Sequence, residues 1–158
     1  MKTITVMTTL FIVVGIFLFP HSGFSQNGSS GTMTEFTPAL APLNNYKALY
    51  IINSSDDHRV KGALRNIANA LNDPRLKGKL QIELVVFSDG VEIFKRGSAY
   101  EETLRQLKSK GVNLAQCENT LKERKIDKSE LYPFISYVPT GNGEIILRHY
   151  EGWAIIHP

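Results

Sequence analysis

Cys117 is the only cysteine in the chain, and its surroundings are the natural place to look for chemistry. Residues 111–116 predict a short buried strand opened by Gly111, and residues 118–125 predict the start of a helix. Backbone N–H groups are unpaired at a helix N-terminus and the helix dipole is positive there, so both favour a thiolate. Cys117 is therefore a candidate nucleophile or sulfur carrier, although free cysteines are also common as small buried hydrophobic residues.

The immediate neighbours of Cys117 favour an exposed thiol. Gln116, Glu118 and Asn119 are all polar, whereas a core residue is usually flanked by apolar side chains. We therefore expect Cys117 to lie in an open loop where an alkylating reagent can reach it.

The thiol has to be positioned by a sheet, because strand-like and helix-like segments alternate along residues 46–158. The segments KALYIIN and ELVVF are typical of buried strands, and FISYV and residues 153–156 predict two shorter ones. Between the first two strands, Val60, Leu64 and Ile67 recur at helical spacing. This alternation favours right-handed βαβ units. We expect an α/β fold of three layers, with a mostly parallel sheet of about five strands and helices on both faces.

Three loops are expected to meet near the thiol, since ligands of open parallel sheets bind beyond the carboxyl ends of the strands. The loops are residues 53–58, 88–91 and 116–120. A histidine in such a crevice could stabilise a thiolate. Simpler interpretations stay open, because acidic and amide residues also cap helices and Asp-Gly pairs form turns. The candidate crevice residues around Cys117 are Asn53, Asp56, His58, Ser88, Asp89, Gly90 and Asn119.

The N-terminal residues predict export. Lys2 precedes the apolar stretch 4–19, and small residues precede a cleavage point at Gln26. The apolar stretch is shorter than the roughly 20 residues of a membrane span, so we expect no stable span after cleavage. The sequence thus predicts a signal peptide at 1–25, a flexible leader at 26–45 and one domain at 46–158, in the periplasm or outside the cell.

Several classes of function lack support in the sequence. The net charge is only +3 and the basic residues form no stripe, so no nucleic-acid partner is expected. The histidines lack ligand spacing and one cysteine makes no pair, which argues against a metal site or an intrachain disulfide. The GNG at 141–143 lacks the rest of a phosphate or dinucleotide motif, and no serine nucleophile elbow occurs. We expect no cofactor.

The ordered set of segments CENTL, SELYP, VPTGNGEI and EGWAIIHP, together with the SDG turn after ELVVF, resembles the DsrE/DsrF/YchN-like family. The resemblance covers about residues 46–158. It implies a compact α/β fold with a mostly parallel sheet, assembled as trimers or hexamers. It also implies, for several members, a persulfide on one cysteine that is passed between donor and acceptor proteins. Cys117 occupies the matching place.

Two hypotheses follow. The first is a thiol-based sulfur carrier, or sulfurtransferase-like protein, that uses Cys117 as its persulfide site and exchanges sulfur with a donor or acceptor protein. The second is a non-catalytic oligomeric, ligand-binding or structural module of the same fold. The predicted export favours the second, since the well-characterised relay members of the family are cytoplasmic. Val91, Ile93 and Phe94 are expected to lie beyond the sheet, where an oligomer could cover them.

Overall fold

The computed structural model describes residues 35–158, and its compact unit spans Pro38–Pro158. The predicted signal peptide and the first part of the predicted leader lie outside the described residues. The strands are β1 (Tyr46–Ile52), β2 (Leu80–Val86), β3 (Asn113–Cys117), β4 (Ser136–Val138) and β5 (Ala154–Ile156). The helices are α1 (Asp57–Asn72), α2 (Glu101–Ser109), α3 (Glu118–Arg124) and α4 (Gly141–Tyr150), with 3₁₀ helices at Ser88–Phe94 and Lys128–Glu130.

The five strands form one parallel sheet in the order β4-β3-β2-β1-β5. In its centre, Leu84 lies opposite Tyr50 on one side and Leu114 on the other. Because all strands run the same way, their carboxyl ends share one edge of the sheet. The predicted α/β fold with a parallel five-stranded sheet is confirmed.

The larger core lies on the face of the sheet that carries Tyr50, Leu84 and Leu114. Since side chains alternate along a strand, these residues point to one side and meet the apolar faces of three helices. The helix residues packed there include Leu64 and Ile67 of α1, Leu104 and Leu107 of α2, and Leu121 of α3. At the start of α1, the Asp56 carboxylate accepts a hydrogen bond of 2.9 Å from the Arg59 N–H, which is the capping role that the sequence predicts for this loop.

The opposite face of the sheet carries a smaller core of Leu49, Ile51, Val85 and Trp153. Helix α4 covers it and places Ile145 against it. Helices therefore lie on both faces, as predicted, although three lie on one face and one on the other.

The prediction that Val91, Ile93 and Phe94 lie beyond the sheet is wrong. These residues form the 3₁₀ helix Ser88–Phe94, and all three are buried in the larger core. The 3₁₀ helix can fold back onto the sheet because Gly90 has no Cβ, which would lie 2.5 Å from the Ile52 carbonyl oxygen. The apolar segment thus packs inside the domain and offers no surface to a second copy.

Residues 35–45, the described part of the predicted leader, contain no helix or strand. Two residues of this stretch that belong to the compact unit make hydrogen bonds to it: the Arg75 Nη1 donates to the Ala39 carbonyl at 3.2 Å, and the Leu43 N–H donates to the Tyr46 hydroxyl at 2.9 Å. Among residues 35–158, no helix is long and apolar enough to cross a membrane.

Candidate functional site

Cys117 is the last residue of β3 and immediately precedes α3, as the sequence predicts. It pairs with Val138 of the edge strand β4, so its side chain lies on the smaller, α4-covered face of the sheet. Its backbone is extended (φ −66°, ψ 117°), and its side chain makes no capping hydrogen bond to α3. The thiol therefore sits at the carboxyl edge of the sheet, beside the first turn of a helix.

The expectation of an exposed thiol is wrong, because Cys117 is only 5% exposed. Gln116, whose polarity suggested an open loop, is itself fully buried. Its side chain points to the opposite face of the strand, and its Nε2 donates to the Cys117 carbonyl at 3.0 Å. Among the described residues, its Oε1 has no hydrogen-bond partner. Gln116 is therefore a polar side chain buried in the core, and its polarity says nothing about the exposure of its neighbour.

A cleft of about 390 Å³ lies beside the buried Cys117, which forms part of its wall. We call it the thiol cleft. It is formed at the carboxyl ends of β2, β3 and β4, where the segments that follow each strand come together. Its lining residues are Phe87, Ser88, Cys117, Asn119, Thr120, Glu123, Thr140, Gly141 and Asn142.

Hydrogen bonds tie the walls of the thiol cleft to one another. The Ser88 N–H donates to the Thr120 Oγ1 at 3.1 Å, which joins the segment after β2 to α3. The Asn119 N–H donates to the Pro139 carbonyl at 3.2 Å, which joins α3 to the segment after β4. Ser88 holds a φ of +50°, a left-handed conformation uncommon for a residue with a side chain. The hydrogen bonds thus hold together the three segments that form the thiol cleft.

The first turn of α4 forms one wall of the cleft. The Thr140 Oγ1 accepts a hydrogen bond of 3.0 Å from the Gly143 N–H and so caps α4. Gly141 lies directly against Phe87, and a Cβ at this position would come within 2.7 Å of the Phe87 Cδ1. Only glycine permits this approach, so the position of α4 beside the thiol depends on Gly141.

Within the described part of the chain, residues 35–158, the exposed Glu123 is the only charged side chain that lines the thiol cleft. Its Oε1 accepts a hydrogen bond of 2.8 Å from the Asn119 Nδ2. Glu118, in the first turn of α3, pairs with Lys128, and that hydrogen bond lowers the pKa of the Glu118 carboxyl. The environment at the start of α3 is therefore polar and partly negative.

Of the seven predicted crevice residues, the structure brings Ser88 and Asn119 into one cleft with Cys117. Asn53 lies elsewhere, in a small cavity of about 10 Å³, where its Oδ1 is 3.2 Å from the His157 Nε2. This cavity marks the point between β1 and β5 where the strand order reverses.

The remaining four predicted residues lie outside the thiol cleft, and three of them have structural contacts elsewhere. Asp56 caps α1, and Gly90 packs on the end of β1. Asp89 forms an ion pair of 2.6 Å with Arg124, and His58 is exposed on α1. The first loop therefore does not contribute a histidine to the thiol cleft.

Sequence reasoning missed Phe87, Thr120, Glu123 and the α4 side of the cleft. The available signal was the Pro-Thr-Gly that follows β4: applying the strand-end rule to that fourth strand would have placed Thr140 and Gly141 near the thiol. Glu123 has no comparable signal, because an acidic residue near the end of a short charged helix is ordinarily only solvated.

A second group of polar side chains lies on the same sheet face, away from the cleft. Glu83 is 2% exposed, and its Oε2 is 2.8 Å from the Arg148 Nη2 of α4. Arg148 also pairs with Glu144 and Glu151, at 2.8 and 3.0 Å. Burial raises the pKa of Glu83 to about 7, and the nearby Glu144 carboxylate adds to that effect while Arg148 opposes it. This cluster fixes α4 to the sheet.

Within residues 35–158, no three histidine, cysteine, aspartate or glutamate side chains are grouped so that they could hold a metal ion. The thiol cleft offers hydroxyl and amide groups, one carboxylate and one thiol. Its chemistry is therefore that of a thiol in a polar pocket.

A model of the DsrE/DsrF-like family matches residues 47–158, and the chain belongs to this family. Among solved structures, the chain is similar to MTH1491, a protein of unknown function from Methanobacterium thermoautotrophicum. The two are 32% identical, the match covers 72% of this chain and 100% of that one, and the TM-score is 0.68. No curated protein matches the chain.

Two more distant structures share the fold. BT1422, a conserved protein of unknown function from Bacteroides thetaiotaomicron, is 11% identical, with coverage of 77% and 100% and a TM-score of 0.59. The ychN protein of E. coli is 17% identical, with coverage of 73% and 100% and a TM-score of 0.54. At these identities the likeness shows the fold alone, and it agrees with the family that the sequence motifs indicate.

Proposed function

We propose that this protein is a thiol-based sulfur carrier, with sulfurtransferase-like activity, in which Cys117 holds a sulfane sulfur as a persulfide. The observation that carries the proposal is the position of the chain's only cysteine, at the end of β3 and on the wall of the thiol cleft. Membership of the DsrE/DsrF-like family supports a role in sulfur metabolism.

The proposed step is a thiol exchange that needs no added oxidant. The Cys117 thiolate attacks the outer sulfur of a donor persulfide, RS–SH. A new S–S bond forms at Cys117 as the donor's S–S bond breaks, and the electron pair leaves with the thiolate RS⁻. The products are the Cys117 persulfide and the donor thiolate. An acceptor thiolate then removes the outer sulfur by the same exchange.

Burial of Cys117 suits storage of a labile sulfur. A persulfide exposed on a surface would exchange with any thiol in solution. The Cys117 side chain, in contrast, is 5% exposed and lines the thiol cleft, through which we propose that donors and acceptors reach it. The hydroxyl of Ser88 and the amides of Asn119 and Asn142 lie in the same cleft and can donate hydrogen bonds to an anionic sulfur. The thiol cleft would thus limit the access of other thiols to the Cys117 sulfur while still offering it polar groups.

Loading can be measured by intact-mass analysis of folded protein after exposure to polysulfide. The proposal expects a mass increase of one sulfur atom that a reductant removes. Since the chain has a single cysteine, Cys117→Ala is the matched control and should take up none. Native protein that gains no sulfur, while the urea-unfolded chain does, would show that the thiol is inaccessible and would refute the proposal.

The alternative, a non-catalytic oligomeric module, has one specific observation in its favour. Ile146, Leu147 and Tyr150 on the outer side of α4 are exposed by 56%, 62% and 86%. Apolar side chains clustered on one helix face are typical of protein–protein contacts. Under this alternative Cys117 is a small core residue, so the loading experiment separates the two functions.

A further inference from the structure

We infer that Glu123 makes the thiol cleft select sulfur donors by charge, so that small persulfides bearing a positive charge load Cys117 faster than anionic donors do. This inference rests on the proposed sulfur-carrier role of Cys117 and specifies the class of donor. It treats Glu123 as a specificity-determining residue of the cleft.

The first support is the charge of the cleft wall. Among the described residues that line the cleft, Glu123 alone carries a formal charge, and the others are apolar, hydroxyl or amide groups. Glu123 is fixed towards the cleft residue Asn119 by a hydrogen bond of 2.8 Å. A donor that enters the cleft to reach Cys117 therefore meets a positioned carboxylate.

The second support is that, within residues 35–158, no basic residue lines the thiol cleft. Arg124, next to Glu123 in sequence, pairs with Asp89 at 2.6 Å. The other basic residues of this segment, Lys122, Lys125 and Lys128, line a separate pocket. An anionic donor would consequently approach a carboxylate without a cation of the cleft wall to offset the repulsion.

Donor charge does not alter the chemical step. With either donor, the Cys117 thiolate bonds to the outer sulfur of RS–SH, and RS⁻ leaves with the electron pair. Cysteamine persulfide carries an ammonium group on R, whereas 3-mercaptopropionate persulfide carries a carboxylate on a chain of similar length. These two donors therefore test charge with little change in size.

The experiment measures the initial rate at which each donor adds one sulfur to the folded protein. Each rate is divided by the rate at which the same donor loads N-acetylcysteine amide, a thiol reagent without a carboxylate, which corrects for the donors' intrinsic reactivity. The variants are Glu123→Gln, which keeps an acceptor for Asn119, and Glu102→Gln as the matched control. Glu102 lies on α2 and accepts a hydrogen bond of 2.9 Å from the amide of Gln106, in the same helical spacing as the Asn119–Glu123 pair.

In water, a unit charge about 4 Å from a carboxylate changes a rate or binding constant roughly fivefold. We therefore expect the wild type to prefer the cationic donor by about fivefold or more. Glu123→Gln should lose most of this preference, Glu102→Gln should keep it, and added salt should weaken it in the wild type.

Two results would overturn the inference, and they are distinguishable. If both donors load the protein with no preference, or if Glu123→Gln retains the preference, the carrier role stands and charge selection by Glu123 is wrong. If neither donor loads folded protein of any variant, the carrier role itself fails, and the inference fails with it.

Discussion

Glu83 and Cys117 lie on the same face of the sheet, and both are buried, but they differ in how burial acts on their chemistry. Burial removes water from the Glu83 carboxyl, and this desolvation favours its protonated form although Arg148 lies beside it. Cys117 lies at the sheet edge and lines the thiol cleft. Under the proposed function, its burial limits access to the sulfur, and burial alone would then not separate structural from functional residues.

The titration of Glu83 predicts a pH dependence of stability. Its pKa is raised from 4.5 to about 7 in the folded protein, so between these values the native state keeps a proton that the unfolded chain has released. The stabilising contribution is complete below pH 4.5 and is lost as the pH rises to about 7. Relative to Glu83→Gln, the wild type should lose roughly 1–3 kcal/mol across this window, since one pKa unit is worth about 1.4 kcal/mol.

Urea unfolding of both proteins through this pH range measures the difference directly. Glu102→Gln removes an exposed carboxylate and serves as the control, because it should run parallel to the wild type at every pH. A constant difference between the wild type and Glu83→Gln would show that the pKa of Glu83 is the same in the folded and unfolded protein, which would contradict the prediction.

At the scale of elements, α4 connects the two sites on this face. Its first turn forms a wall of the thiol cleft, and Arg148 near its end holds it to Glu83. The close contact between Gly141 and Phe87 sets how near the first turn comes to the sheet. The position of one helix thus determines both the width of the cleft and the burial of the charged cluster.

Two glycine substitutions should have opposite effects on stability. Gly141→Ala brings a Cβ within 2.7 Å of Phe87, so we expect a loss of roughly 1–3 kcal/mol and slower loading of Cys117 as α4 shifts. Gly62→Ala in α1 meets nothing within 4 Å and should gain roughly 0.5–1 kcal/mol, because alanine is the better helix former.

Thermal or urea unfolding of the two variants beside the wild type tests this pair. Equal effects of the two substitutions would mean that the contact with Phe87 does not constrain α4.

The order of helices and strands could be predicted because it follows from local sequence patterns, such as the apolar runs KALYIIN and ELVVF, which indicate buried strands. The 3₁₀ helix Ser88–Phe94 could not, since its folding back depends on the close approach of Gly90 to Ile52, a contact between distant segments. The position of Cys117 between β3 and α3 followed from local pattern, whereas its burial depends on β4 and α4. Likewise, no local feature shows that Glu83 meets an arginine of α4.

At the scale of the whole molecule, the two faces of the sheet are covered unequally. Of the helices in residues 35–158, three pack on the larger core, whereas α4 covers the smaller one and leaves apolar side chains on its outer side. This arrangement moves the expected oligomer contact from Val91, Ile93 and Phe94, which are buried, to Ile146, Leu147 and Tyr150. We therefore propose a homo-oligomer, such as the trimer or hexamer that the family resemblance implies, that forms through the exposed apolar side chains of α4.

Light scattering at micromolar concentration should show a homo-oligomer for the wild type. Leu147→Glu should shift it towards the monomer, because a charge would be placed in an apolar contact. Leu40→Glu, which changes an exposed leucine outside α4, is the control and should not alter the mass. A monomeric wild type would contradict the proposed use of the α4 surface.

Cyanolysis of the loaded, folded protein shows directly whether Cys117 carries a transferable sulfur. Cyanide takes the outer sulfur of a persulfide and leaves as thiocyanate, restoring the thiolate. We expect about one thiocyanate per wild-type chain, in keeping with its single cysteine, and none from Cys117→Ala. Equal thiocyanate from both proteins, or none from a correctly folded wild type after donor treatment, would contradict the proposed carrier role.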